Sequence, residues 1–123
     1  MDTHRLCVSI FLKGVLAVTS FVQDKQLTVA LTGEIDHHRA RNVMDTLKRK
    51  IDEYLPKECI LDFRDVTFMD SSGIAIVIHA YRRMRELGGK LRLRNIPPQP
   101  AKVLYAAGLD RIVDMERIVC HEV

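Results

Sequence analysis

Hydrophobic and polar positions along this chain change period several times, and each change predicts an element. Residues 15–22 are an apolar run rich in strand formers. Residues 27–31, "LTVAL", form a second run, and the polar "QDKQ" at 23–26 between them reads as a hairpin turn, with "TGE" ending the second strand. In "IDHHRARNVMDTLKRKIDEYLP" the apolar residues fall at Ala40, Val43, Met44, Leu47, Ile51, Tyr54 and Leu55. That spacing is helical, with Asp36 as its N-cap and Pro56 as its stop. Residues 58–63, "ECILDF", read as a short central strand, "RDV" as a turn and "TFM" as the lead into two serines.

From Ser72 the pattern is helical again. A stripe at Ile74, Val77, Ile78, Tyr81, Met84 and Leu87 is closed by Gly88 and Gly89. "KLRLRN" at 90–95 alternates basic and apolar, as a half-buried strand does, and "PPQP" reads as a stiff connection. "AKVLYAAG" predicts a short helix with Val103, Leu104 and Ala107 facing inward and Gly108 at the C′ position. "RIVDM" predicts a last strand. Strands that alternate with helices after an opening hairpin imply an α/β fold: a mixed, mostly parallel sheet covered by about three helices.

Length supports this reading. The 123 residues suit one core, taken as a single domain over 14–123 preceded by an extension over 1–13, which is either an extra strand or a loose segment. The apolar tract 6–22 is interrupted at Lys13 and Gly14, so neither half is long enough to cross a bilayer, and the charge also breaks a signal-peptide pattern. Cys7, Cys59 and Cys120 are odd in number and widely spaced, which argues against a disulfide framework and fits a reducing, cytoplasmic setting. Cys59 reads as a small buried hydrophobe.

A net charge of +3 is too weak to single out nucleic acid as a partner. The basic cluster Arg82, Arg83, Arg85, Lys90, Arg92 and Arg94 lacks interleaved aromatics and reads as a solvated face that could steer an acidic partner. His37 and His38 are neighbours on a helix, about 100° apart, which is poor geometry for chelation, so no metal is expected.

The stretch "TFMDSSGIAI" at 67–76 puts an acid, two hydroxyls and a glycine between an apolar strand and an apolar helix. The simplest reading makes Ser71 a helix N-cap, its hydroxyl accepting a free backbone N–H of the first turn. Gly73 would let another chain or a phosphate approach that turn. A sharper reading makes Ser71 a phosphorylation site, because a helix N-terminus tolerates a phosphate and the added charge of about −1.5 to −2 reverses the local surface. A serine nucleophile is disfavoured: "DSSG" is not Gly-x-Ser-x-Gly, and no helper histidine is placed. Ile76 lies off the predicted stripe and is either an exposed contact beside Ser71, suited to a partner, or a residue buried by a neighbouring helix.

Taken together, "LTGEIDHH" at 31–38 and "FMDSSGIA" at 68–75 resemble the anti-sigma factor antagonists, closest to the sporulation type, within a domain family shared with sulfate transporters. The resemblance spans roughly residues 16–115. It implies a regulatory protein with no catalytic residues and no cofactor. The unphosphorylated form would bind an anti-sigma factor that is also a serine kinase, which carries the ATP or ADP, and so release a sigma factor. Phosphorylation of Ser71 would end this, and a serine phosphatase would reverse it. Asp36 would flank the site, and Asp70, Ser72 and Gly73 belong to the motif. Two features depart from the family pattern: the extra N-terminal residues, and a C-terminal "ERIVCHEV" too short for a substantial final helix. The alternative of another class is a small-anion or transporter-associated ligand-binding domain of the same fold.

Overall fold

The computed structural model describes residues 6–12 and 15–118. Its elements in chain order are β1 (Leu6–Leu12), β2 (Val15–Gln23), β3 (Gln26–Ile35), α1 (His37–Tyr54), β4 (Glu58–Met69), α2 (Ser72–Glu86), β5 (Lys90–Ile96), α3 (Pro98–Ala106), a 3-10 turn (Leu109–Arg111) and β6 (Asp114–Arg117). One six-stranded sheet carries them in the order β1-β2-β3-β4-β5-β6. β2 runs antiparallel to its neighbours β1 and β3, and β3 to β6 are parallel. Parallel neighbours need crossovers, which α1, α2 and α3 supply. Of the two readings of the N-terminal segment, Leu6–Leu12 takes the strand one. The hairpin between β2 and β3 closes on Asp24 and Lys25, both at positive φ, as a two-residue turn matched to strand twist requires.

Helix α1 follows its pattern. Asp36 caps it, accepting from the backbone N–H of His38 at 3.0 Å and of Arg39 at 3.1 Å. Ala40, Val43, Leu47 and Ile51 face the core. The helix ends at Leu55, whose backbone is left-handed, and Pro56, which cannot continue a helix, follows. Helix α1 packs along α2, and Cys59, Leu61 and Phe63 of β4 lie in the same apolar cluster. Cys59 is fully buried, which pushes its thiol up to about 12.

Four expectations are corrected. "RDV" does not turn the chain: β4 runs on to Met69, and its surplus residues are absorbed in register slips against β3, one between Ala30 and Thr32 and one between Gly33 and Glu34. "PPQP" is not a connection. Pro98 opens α3, where a missing N–H costs nothing. Ala107 is the exposed C-cap of that helix, because Gly108, at φ +76°, turns the chain away. The last strand starts at Asp114 because Leu109–Arg111 forms a 3-10 turn first.

The register brings the chemistry together. Ile35 and Met69 are the last paired residues of β3 and β4, and the Asp70 N–H donates to the Ile35 carbonyl at 3.1 Å. Asp36 and Asp70 therefore leave the sheet side by side, and α1 and α2 start next to each other.

Candidate functional site

At the start of α2 the two serines divide their duties differently from the N-cap reading. Ser71 has helical backbone angles, φ −64° and ψ −15°, and its hydroxyl makes no cap bond. The cap is Asp70. Its Oδ1 accepts from the Ser72 backbone N–H at 2.8 Å and also from the Ser72 hydroxyl. The reason is the sheet: the bond from Asp70 to Ile35 holds Asp70 at the strand end, one residue before the helix turns, where a cap belongs. Ser71 is left exposed, its hydroxyl making no hydrogen bond among the described residues, whereas Ser72 is half-buried with its hydroxyl proton engaged.

Asp70 gathers positive character from both helices. The hydroxyl of Ser72 and then its backbone N–H hold the Asp70 carboxyl below the usual carboxylate range, and the imidazole and backbone N–H of His37 act in the same direction. One carboxylate thus joins the first turns of α1 and α2. The rings of His37 and His38 lie 4.0 Å apart at a tilt of 36°, exposed beside it. Among the described residues, no group of three or more His, Cys, Asp or Glu side chains is placed to hold a metal ion.

Gly73 serves the chain's own packing. A Cβ there would stand 2.3 Å from the Met69 sulfur, so the glycine is what lets the first turn of α2 sit on the end of β4. That contact also settles Ile76. With Gly73 against Met69, the face toward the sheet is Gly73, Ile76, Val77, Ala80 and Met84, while Ile74 and Ile78 flank it. Ile76 is 1% exposed and is corrected from a surface contact to a core residue. Phe68, near the end of β4, is an exposed apolar side chain, at 43%.

Two further residues brace the site. Gln99 of α3 grips Met69 at both ends of its peptide, its Oε1 accepting from the Met69 N–H and its Nε2 donating to the Met69 carbonyl, each at 2.8 Å. Arg39 of α1 donates to the carbonyls of Glu34 at 2.6 Å and Thr32 at 3.2 Å, crossing over Gly33. The sequence marks neither: Gln99 falls in the "PPQP" segment, and nothing in the local pattern sets Arg39 apart. The basic cluster, in contrast, is dispersed. Arg83 pairs with Asp52 and Glu86, and Arg92 pairs with Glu58 across the sheet.

A strand end, an acidic cap and a free serine at the start of a helix that crosses over a mixed sheet form a specific combination. Residues 18–120 match the STAS domain family. The chain belongs to that family. An anti-sigma F factor antagonist from Paenibacillus polymyxa is 29% identical over 87 residues, which cover 71% of this chain and 74% of that protein. Among solved structures, an anti-sigma factor antagonist from Mycobacterium paratuberculosis superposes with a TM-score of 0.74 at 19% identity, covering 87% of this chain and 90% of the other. The Bacillus cell fate determinant SpoIIAA in its phosphorylated form superposes with a TM-score of 0.62 at 24% identity, covering 89% and 90%.

In this STAS domain, Asp36, Asp70, Ser71, Ser72 and Gly73 gather at the joined ends of β3 and β4, and Ile76 lies in the core beneath them. No helix among the described residues is long and apolar enough to cross a membrane.

Proposed function

We propose that this STAS domain is an anti-sigma factor antagonist. Its unphosphorylated form binds an anti-sigma factor that is also an ATP-dependent serine kinase, and this binding frees a sigma factor. Transfer of the ATP γ-phosphoryl group to Ser71 ends the interaction, and a serine phosphatase restores it. The chain itself is no enzyme in this scheme and acts in the cytoplasm; the nucleotide belongs to the partner.

The observation that carries the reading is the free, exposed hydroxyl of Ser71 at a helix start that Asp70 already caps. Phosphorylation there costs the fold no hydrogen bond, yet adds about −1.5 to −2 charges beside the Asp70 carboxylate. Asp36, Asp70 and Ser72 shape the surface the partner reads, and Gly73 supports it from beneath by letting α2 close on Met69. The names of the similar proteins point the same way.

Intact-protein mass spectrometry after incubation with ATP and the host's anti-sigma kinase tests the proposal. One phosphate on the wild type and none on Ser71→Ala is the expected result; no phosphate on either, with a verified active kinase, refutes it. Ser71→Asp should fold normally and bind the kinase more weakly in a pull-down, since it adds charge without touching the cap.

A further inference from the structure

Two serines stand side by side, and a kinase that reaches one can nearly reach the other. We infer that Asp70 selects between them, directing the phosphoryl group to Ser71 by withholding Ser72; the inference rests on the switch reading above. In the transfer, a bond forms between the serine Oγ and the γ-phosphorus of ATP, the bond from that phosphorus to the β-phosphate bridging oxygen breaks, and ADP leaves. The hydroxyl proton passes to a base of the kinase.

Ser71 meets these demands without rearrangement, because its hydroxyl is exposed and makes no hydrogen bond among the described residues. Ser72 does not. Its hydroxyl proton is held by Asp70 Oδ1, the same oxygen that accepts from its backbone N–H, and the side chain is half-buried. Attack by Ser72 would have to break a hydrogen bond to a charged acceptor. Its product would set a phosphate against the Asp70 carboxylate. Asp70 is thus a positioning residue with a specificity role.

The test uses the full chain, ATP and the host's anti-sigma serine kinase, with tandem mass spectrometry to locate the phosphate and circular dichroism to confirm folding. Wild type should carry its phosphate on Ser71, with no more than a trace on Ser72. In Asp70→Ala the share on Ser72 should rise roughly tenfold to a hundredfold, the worth of one hydrogen bond to a charged group. The double variant Asp70→Ala/Ser71→Ala should accept phosphate on Ser72 where Ser71→Ala alone accepts none. Should the alanine variant fail to fold, Asp70→Gly, which costs a helix start least, replaces it. Phosphate on wild-type Ser71 but none on Ser72 in any Asp70 variant overturns this inference alone. No phosphate on the wild type overturns the switch reading and this inference with it.

Discussion

Replacing Gly73 by alanine adds one methyl group at the point where α2 meets β4. The new Cβ would lie 2.3 Å from the Met69 sulfur and 2.4 Å from its Cγ, where 3.4 Å begins ordinary contact. Something must move by about 1 Å. The atoms in the way belong to the Met69 thioether chain, which is fully buried, so it can yield only by taking a new rotamer inside a packed core. Overpacking of this kind costs about 1–3 kcal/mol. Alanine regains up to ~1 kcal/mol of helix propensity over glycine. The net loss should be about 1–2 kcal/mol, a fall in Tm of roughly 3–6 °C for each kcal/mol in a domain this size. Thermal and urea unfolding followed by circular dichroism read it directly. A double-mutant cycle sharpens the test: in a Met69→Ala background the clashing atoms are gone, so Gly73→Ala should be neutral or slightly stabilising there. If Gly73→Ala is as stable as wild type, or equally harmful in both backgrounds, steric closeness to Met69 is not why a glycine stands at this position.

Three further outcomes are expected. Ile76→Ala should destabilise by about 2–5 kcal/mol in urea unfolding, as a core truncation does; a change within ~0.5 kcal/mol would return Ile76 to the surface. Gln99→Ala removes both bonds to Met69, each worth about 1 kcal/mol, and should speed amide exchange at Met69 selectively; unchanged protection there would show that α3 does not brace the site. Because the folded Asp70 pKa is depressed, its contribution is present in full above the ordinary aspartate value of about 3.9 and is lost as pH falls through the lower folded value. Wild type should therefore lose more stability than Asp70→Asn over that acid window, and parallel pH curves would refute the linkage.

Much of the architecture is legible along the chain. The hairpin, the two long helices and the parallel β3-β4-β5 core follow from a period of 2 giving way to 3.6, and Asp36 announces its helix because an aspartate before an apolar-periodic run has one best place to go. The short motif around Ser71 marks the proposed site. The features that depart from the local pattern share one cause: contacts between segments distant along the chain decide them. The polar "RDV" was equally compatible with a turn or a bulged strand, and pairing with β3 chose the strand.

The allocation of roles within the site belongs to the same class. By composition, Asp70 and Ser71 are both good caps, and the next residues decide nothing between them. The bond from Asp70 to Ile35 makes the choice, because it fixes how far the strand runs before the helix begins, and so which of the two adjacent hydroxyls remains free. Likewise the stripe of α2 could be drawn through Ile74 or through Ile76; the close approach of Gly73 to Met69 sets the rotation of the helix and buries Ile76. The sequence by itself determined the elements, their order and the presence of a serine at a helix start, because these follow from local periodicity and capping chemistry. Which serine is free, which isoleucine is core and which distant side chains, Gln99 and Arg39, hold the strand ends were decided only by tertiary structure, because each depends on contacts between segments that no local pattern brings together.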